Sequence, residues 1–138
     1  MTASRPDAIL GVFDRPFWEF LEQRELRLQR CDQGHFRFPP GPVCPSCGSV
    51  ESSWEPVSGK GKMVTWTEFH RQYFPQMPPP YIVVCAQLEE GPLLVADFVG
   101  AQVADLSIGM GVRLNFHDVT MNENDRVIYQ WIPTPSTE

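Results

Sequence analysis

The segment Cys44-Pro45-Ser46-Cys47-Gly48 constrains this chain more than any other. Two thiolates three positions apart can grip one tetrahedral ion, and a glycine after the second relieves the turn so that backbone amides face the sulfurs. A ribbon needs a second pair of ligands. Cys31 lies upstream, but the position three residues after it is Gly34, which has no ligand atom, and His35 follows. The candidate metal set is therefore Cys31, His35, Cys44 and Cys47, a Cys₃His site suited to zinc. The alternative is a ribbon that keeps its shape with an empty or partial site, held by Phe36, Phe38 and the surrounding prolines. The fourth cysteine, Cys85, sits among Val83, Val84 and Ala86 and reads as a small buried core residue rather than a reactive thiol.

A length of 138 residues fits one globular unit, or two small sub-domains sharing a core, and such a chain folds without disulfide cross-links. No run approaches the roughly 20 apolar residues of a membrane span, and the opening MTASRPDAIL lacks a signal core. These features predict a soluble, cytoplasmic protein with no membrane partner, where thiols stay reduced and cysteines serve metals. Charge is uneven. Residues 1–71 hold nine bases and nine acids, net zero, whereas residues 72–138 hold two bases and eight acids, net −6. Any phosphate-bearing ligand belongs with the first half.

Fourteen prolines divide the chain, most of them at 39–45, 75–80 and 133–135. Asp14 as a cap, with Pro16 in the first turn, predicts a short helix to about Arg24 with Phe17, Trp18, Phe20 and Leu21 on its apolar face. Leu26 and Leu28 alternate with polar residues as a strand entering Cys31. From Ser58 onward the pattern is β: strands are expected at Met63–Phe69, with Val64, Trp66 and Glu68 on one face, and at Tyr81–Leu88, Leu93–Val99, Gly111–Val119 and Arg126–Ile132. A short helix or turn is expected at Val103–Gly109. Five such strands without long helices suggest a small closed or partly open barrel. No catalytic constellation stands out. His70 ends a strand beside Arg71, no serine occupies a nucleophile elbow, and His117 and Asp118, as strand neighbours, point to opposite faces.

Phe17-Trp18, Leu28-Gln29-Arg30-Cys31, Phe38-Pro39-Pro40, Cys44-Pro45-Ser46-Cys47-Gly48, Val57-Ser58-Gly59-Lys60-Gly61, Tyr81-Ile82-Val83 and Glu90-Gly91-Pro92, in this order, resemble the zinc-ribbon/OB-fold family of acyl-CoA-associated accessory proteins. The resemblance covers about residues 12–132. It implies a mainly β fold with an N-terminal helix and lead-in strand at 1–30, a rubredoxin-like ribbon at 31–56, a five-stranded OB barrel at 57–132 and a tail at 133–138. It also implies a non-catalytic subunit in a heteromer with a thiolase-like enzyme or hydratase, including thiolase-fold aldolases of steroid side-chain breakdown, with acyl-CoA met through the complex. Gly34 stands where the family's second ribbon cysteine is expected.

Two surfaces follow for such a subunit. The segment from Tyr73 to Pro80, with Tyr73, Phe74, Pro75, Met77 and Pro79, is the expected partner contact, its alternative being a rigid connector. The helix aromatics Phe13, Phe17, Trp18 and Phe20 fit a core role better than an interface. Arg37, Lys60 and Lys62, near Trp54 and Trp66, are the expected contacts for the phosphates and adenine of CoA, against the plainer reading as solvated surface charge. A single-stranded nucleic-acid-binding OB module is the alternative function, and the net −6 of the barrel half opposes it.

Overall fold

A computed structural model describes residues 3–135. The last three residues of the expected tail fall outside the described part. Element order is β1 (Ala3–Arg5), α1 (Asp14–Glu22), β2 (Arg27–Cys31), β3 (Phe36–Arg37), β4 (Ser52–Pro56), β5 (Lys60–Phe69), β6 (Tyr81–Leu88), β7 (Leu93–Phe98), a 3₁₀ turn (Val103–Asp105), β8 (Gly111–Met121) and β9 (Asn124–Pro133). Among the described residues no helix is long and apolar enough to cross a membrane.

Two sheets carry the fold. β3, β2 and β4 form an antiparallel ribbon, whose sheet begins at Arg27 rather than at Cys31. β5 to β9 form the barrel: β5 pairs with β6 and β8, β6 with β7, β7 with β9 through Phe98 and Trp131, and β8 with β9 along its length. This closes five strands on themselves and leaves few free edges. β1 extends the sheet by lying parallel to Val119–Met121 of β8; three residues without alternation gave no sequence signal for it.

Trp131 fills the barrel's centre, 0% exposed, and its indole N–H donates to the Leu94 carbonyl at 3.0 Å, so the one polar atom of the ring is satisfied. Val84, Leu88, Leu94 and Val112 pack around it as the inward set of alternating strands. Gly61 makes the close approach of β5 and β6 possible, because a Cβ there would lie 2.6 Å from the Gln87 carbonyl oxygen.

The helix joins the two sheets. Phe17 meets Phe38 of the ribbon segment at 5.3 Å and Tyr129 of β9 at 5.7 Å, while Leu21 is fully buried. Burying these faces, at roughly 2 kcal/mol per large apolar side chain, fixes the ribbon's attitude on the barrel. Phe17 is therefore core, as the sequence suggested, whereas Phe13 stays partly exposed at the helix start.

Three local expectations are corrected. The N-cap residue is Phe13; Asp14 already belongs to the helix, and its carboxylate accepts from the Gly11 N–H at 3.1 Å. Strand β5 carries a bulge between Met63 and Thr65, so its inward set passes from Gly61 and Met63 to Trp66 and Glu68, leaving Val64 outward. Cys85 is half-buried rather than buried, since it lies on the outward row of β6.

Candidate metal centre

Cys31 and Cys44 are buried and His35 and Cys47 exposed, so the cluster sits at the ribbon tip with one side open to water. The two turns reach it differently. In the second, Cys47 at the third position after Cys44 is followed by Gly48 in the left-handed region (φ 77°), and the Gly48 N–H donates to the Cys44 carbonyl at 2.9 Å. In the first, the left-handed residue is Gly34 itself (φ 91°), whose N–H donates to the Cys31 carbonyl at 2.9 Å. The glycine thus occupies the third position and the ligand moves to the fourth, where the longer histidine side chain reaches back. A side chain at position 34 would be strained there. Within the first turn the Cys31 N–H donates to the His35 carbonyl at 2.9 Å, and between the turns the Ser49 hydroxyl donates to Asp32 at 2.7 Å.

The donor spacing tests whether a metal fits. Bonds of about 2.3 Å to sulfur and about 2.0 Å to nitrogen in a tetrahedron require S···S near 3.8 Å and S···N near 3.5 Å. Cys31 Sγ lies 3.8 Å from Cys47 Sγ and 3.5 Å from His35 Nδ1, and Cys44 Sγ lies 3.8 Å from the same nitrogen. All four ligand atoms fall within 4.8 Å of one another. These residues fit zinc through Nδ1 of His35, and the ion would supply structural cross-linking.

The electrostatics agree. Burial pushes the Cys44 thiol up, but the backbone N–H groups of Cys47 and Ser46, with the neighbouring thiols, outweigh it and hold the group at about 6, below its ordinary 9.0. Cys47 moves the other way: the Ser49 backbone lowers it, while burial and the sulfurs of Cys44 and Cys31 push it up. The lowering favours the thiolate of Cys44, the form a metal needs.

The expected CoA cluster does not assemble. Arg37 is 4% exposed; its Nε donates to Gln29 Oε1 at 3.1 Å and its Nη2 to the Gly41 carbonyl at 2.8 Å. Gln29 Oε1 also accepts from the Gly41 N–H at 2.8 Å. Arg37 therefore ties down the proline loop that leads to Cys44 and is closed to a phosphate, which corrects its assignment. The buried Gln29 is a partner the sequence did not announce, since it reads as an ordinary polar strand residue. Lys60 and Lys62 are exposed on β5 and border a cleft of about 510 Å³ with Gly61, Gly111 and Thr134. Trp54 packs against Phe20 at 5.9 Å, and Trp66 packs against the core. Tyr73 and Phe74 stand exposed in the loop between β5 and β6. His70 pairs with Glu68 at 2.9 Å, and Asp118 with Arg24 rather than with His117.

A three-stranded ribbon with a tetrahedral Cys₃His cluster, held by one helix against a closed five-stranded barrel, defines a zinc-ribbon/OB-fold protein. The family comparisons are specific: residues 18–51 match the ChsH2 rubredoxin-like zinc ribbon domain and residues 54–117 the ChsH2 C-terminal OB-fold domain. A DUF35 domain-containing scaffold protein of Pyrococcus furiosus is 31% identical over 131 residues, covering 88% of this chain and 93% of that protein. The 3-oxo-4,17-pregnadiene-20-carboxyl-CoA hydratase alpha subunit of Mycobacterium tuberculosis is 32% identical over 117 residues, 85% of this chain and 36% of that one. A chain of the solved Ltp2-ChsH2(DUF35) aldolase superposes with a TM-score of 0.82 at 30% identity, covering 92% of this chain and 98% of the other. The chain belongs to the DUF35 family of ChsH2 type. It spans about a third of the length of the hydratase alpha subunits it matches.

Proposed function

We propose that the chain is a non-catalytic accessory subunit that forms a heteromer with a thiolase-fold acyl-CoA enzyme, an aldolase or thiolase acting on steroid or lipid side chains, and that it stabilises that enzyme and shapes its acyl-CoA site. The observation that carries this reading is the likeness, over almost the whole of both chains, to a chain of the Ltp2-ChsH2(DUF35) aldolase. The steroid acyl-CoA hydratase named among the relatives supports the substrate class. In this reading the partner holds the nucleophile or base. The zinc ribbon and helix give this chain a rigid body, Tyr73, Phe74, Pro75, Met77 and Pro79 meet the partner, and Lys60 and Lys62 at their cleft lie toward the phosphates of CoA.

The test is co-expression with a thiolase-fold acyl-CoA enzyme of the same genome, followed by size-exclusion chromatography and an acyl-CoA cleavage assay. A co-eluting complex that is active only when both chains are present is the expected result. Separate elution, with full activity in the enzyme alone, overturns the reading.

A further inference from the structure

On β6 and β7 the outward row, like the inward one, carries apolar residues. Along β6, Ile82, Val84, Ala86 and Leu88 are buried in the core, while Val83 and Cys85 point the other way. Along β7, Leu94, Ala96 and Phe98 fill the core, and Leu93 and Val95 lie outward, 50% and 54% exposed. A strand with one face in water alternates apolar with polar; a continuous apolar run belongs to a strand covered on both sides. Strand register sets the outward residues in rows, Lys62–Gln87–Leu93, then Thr65–Cys85–Val95, then Thr67–Val83–Asp97. Charge enters these rows only at the corners: Lys62 at one, and at the other Asp97, which already accepts from Arg5 at 3.1 Å and Gln130 at 2.7 Å.

The face runs without a break into the loop between β5 and β6. In the next row Phe69 stacks on Tyr81 with centroids 4.8 Å apart, and Tyr73 meets Phe69 edge-on at 6.1 Å. Three strands about 4.8 Å apart and some seven residues long give a flat footprint of roughly 300 Å². A stable complex covers about 800 Å² per partner. Sheet and loop must therefore be covered together.

We infer that the outer face of β5, β6 and β7, continuous with the 73–80 loop, is the surface on which the catalytic subunit sits. This rests on the accessory-subunit reading and names the surface through which it acts. The occupant it fits is a folded protein surface that is flat, uncharged and apolar at its centre. A nucleic acid strand needs cations where these rows carry threonine, valine and cysteine. A second copy would bring together two chains of net charge −6 each.

The test uses the full zinc-loaded chain and the complex described above. Val95→Glu places a charge at an exposed position in the middle of the face, so the free chain should keep its zinc and its circular dichroism while affinity for the enzyme falls at least tenfold. In a Val95→Cys variant, alkylation of the new thiol by N-ethylmaleimide should slow at least tenfold in the complex. If the parent complex forms but Val95→Glu binds equally well and the Val95→Cys thiol reacts as fast as in the free chain, the surface is wrong while the accessory reading stands. If no complex forms with the parent chain, both fall. If the free chain is a dimer with that thiol already protected, a second copy takes the face and the inference is overturned.

Discussion

At the scale of single residues the metal centre turns on where one glycine stands. With Gly34 in the left-handed region, the first turn can present a ligand only one step later, and a histidine ring is long enough to bring Nδ1 within 3.5 Å of Cys31 Sγ. The sequence showed Gly34 as a departure from the expected ribbon cysteine, and His35 beside it as a substitute; what it lacked was the backbone angle that makes the substitution coherent. Cys44→Ser removes a buried ligand whose thiol the surrounding N–H groups and sulfurs lower to about 6, leaving three donors for a site that needs four. Zinc content of the purified protein should fall from one ion per chain towards zero, and the melting temperature should drop by several degrees, because structural zinc contributes folding free energy directly. Elemental analysis with thermal denaturation decides it, and equal zinc content in parent and variant would remove Cys44 from the site.

At the scale of elements, strand positions were legible because alternation and proline breaks are strong local signals. β6 spans Tyr81–Leu88, and β7, β8 and β9 lie within a few residues of their expected bounds. What escaped were features set by tertiary geometry. The bulge at Met63/Thr65 reverses which residues of β5 face inward, β1 exists only through its parallel pairing with β8, and Arg37 is drawn inside by Gln29 and the Gly41 backbone. A basic residue between two phenylalanines reads as a ligand-binding surface until its own partners are known. Gly61 also acts at this scale. The β5–β6 pairing presses Gln87's backbone against it, with Trp131 behind. Adding one methyl group in Gly61→Ala sets a Cβ 2.6 Å from a carbonyl oxygen that cannot swing away. Overpacking of this kind costs about 1–3 kcal/mol. Urea denaturation should show a lowered midpoint for Gly61→Ala at unchanged slope, and a midpoint equal to the parent's would mean that the two strands part more easily than their register implies.

At the scale of the whole molecule, the charge pattern separates an accessory subunit from a nucleic-acid binder of the same fold. Half the chain carries the entire net −6, and the outward rows of β5 to β7 offer glutamine, threonine, valine and cysteine between their corners. A complex formed through such a face draws on apolar burial, which salt does not screen, whereas phosphate-backbone binding weakens roughly 10³- to 10⁵-fold between 50 and 200 mM salt for a protein making six to ten phosphate contacts. Affinity for the proposed catalytic partner, measured by calorimetry across that range, should change by less than about threefold, with a negative heat-capacity change on binding. A steep fall with salt would shift the weight of the proposed interface to Lys60, Lys62 and their cleft, and would make charge rather than apolar cover its basis. A flat response fits the continuous apolar runs of β6 and β7, which give this side of the barrel a second face to bury after its own core is closed.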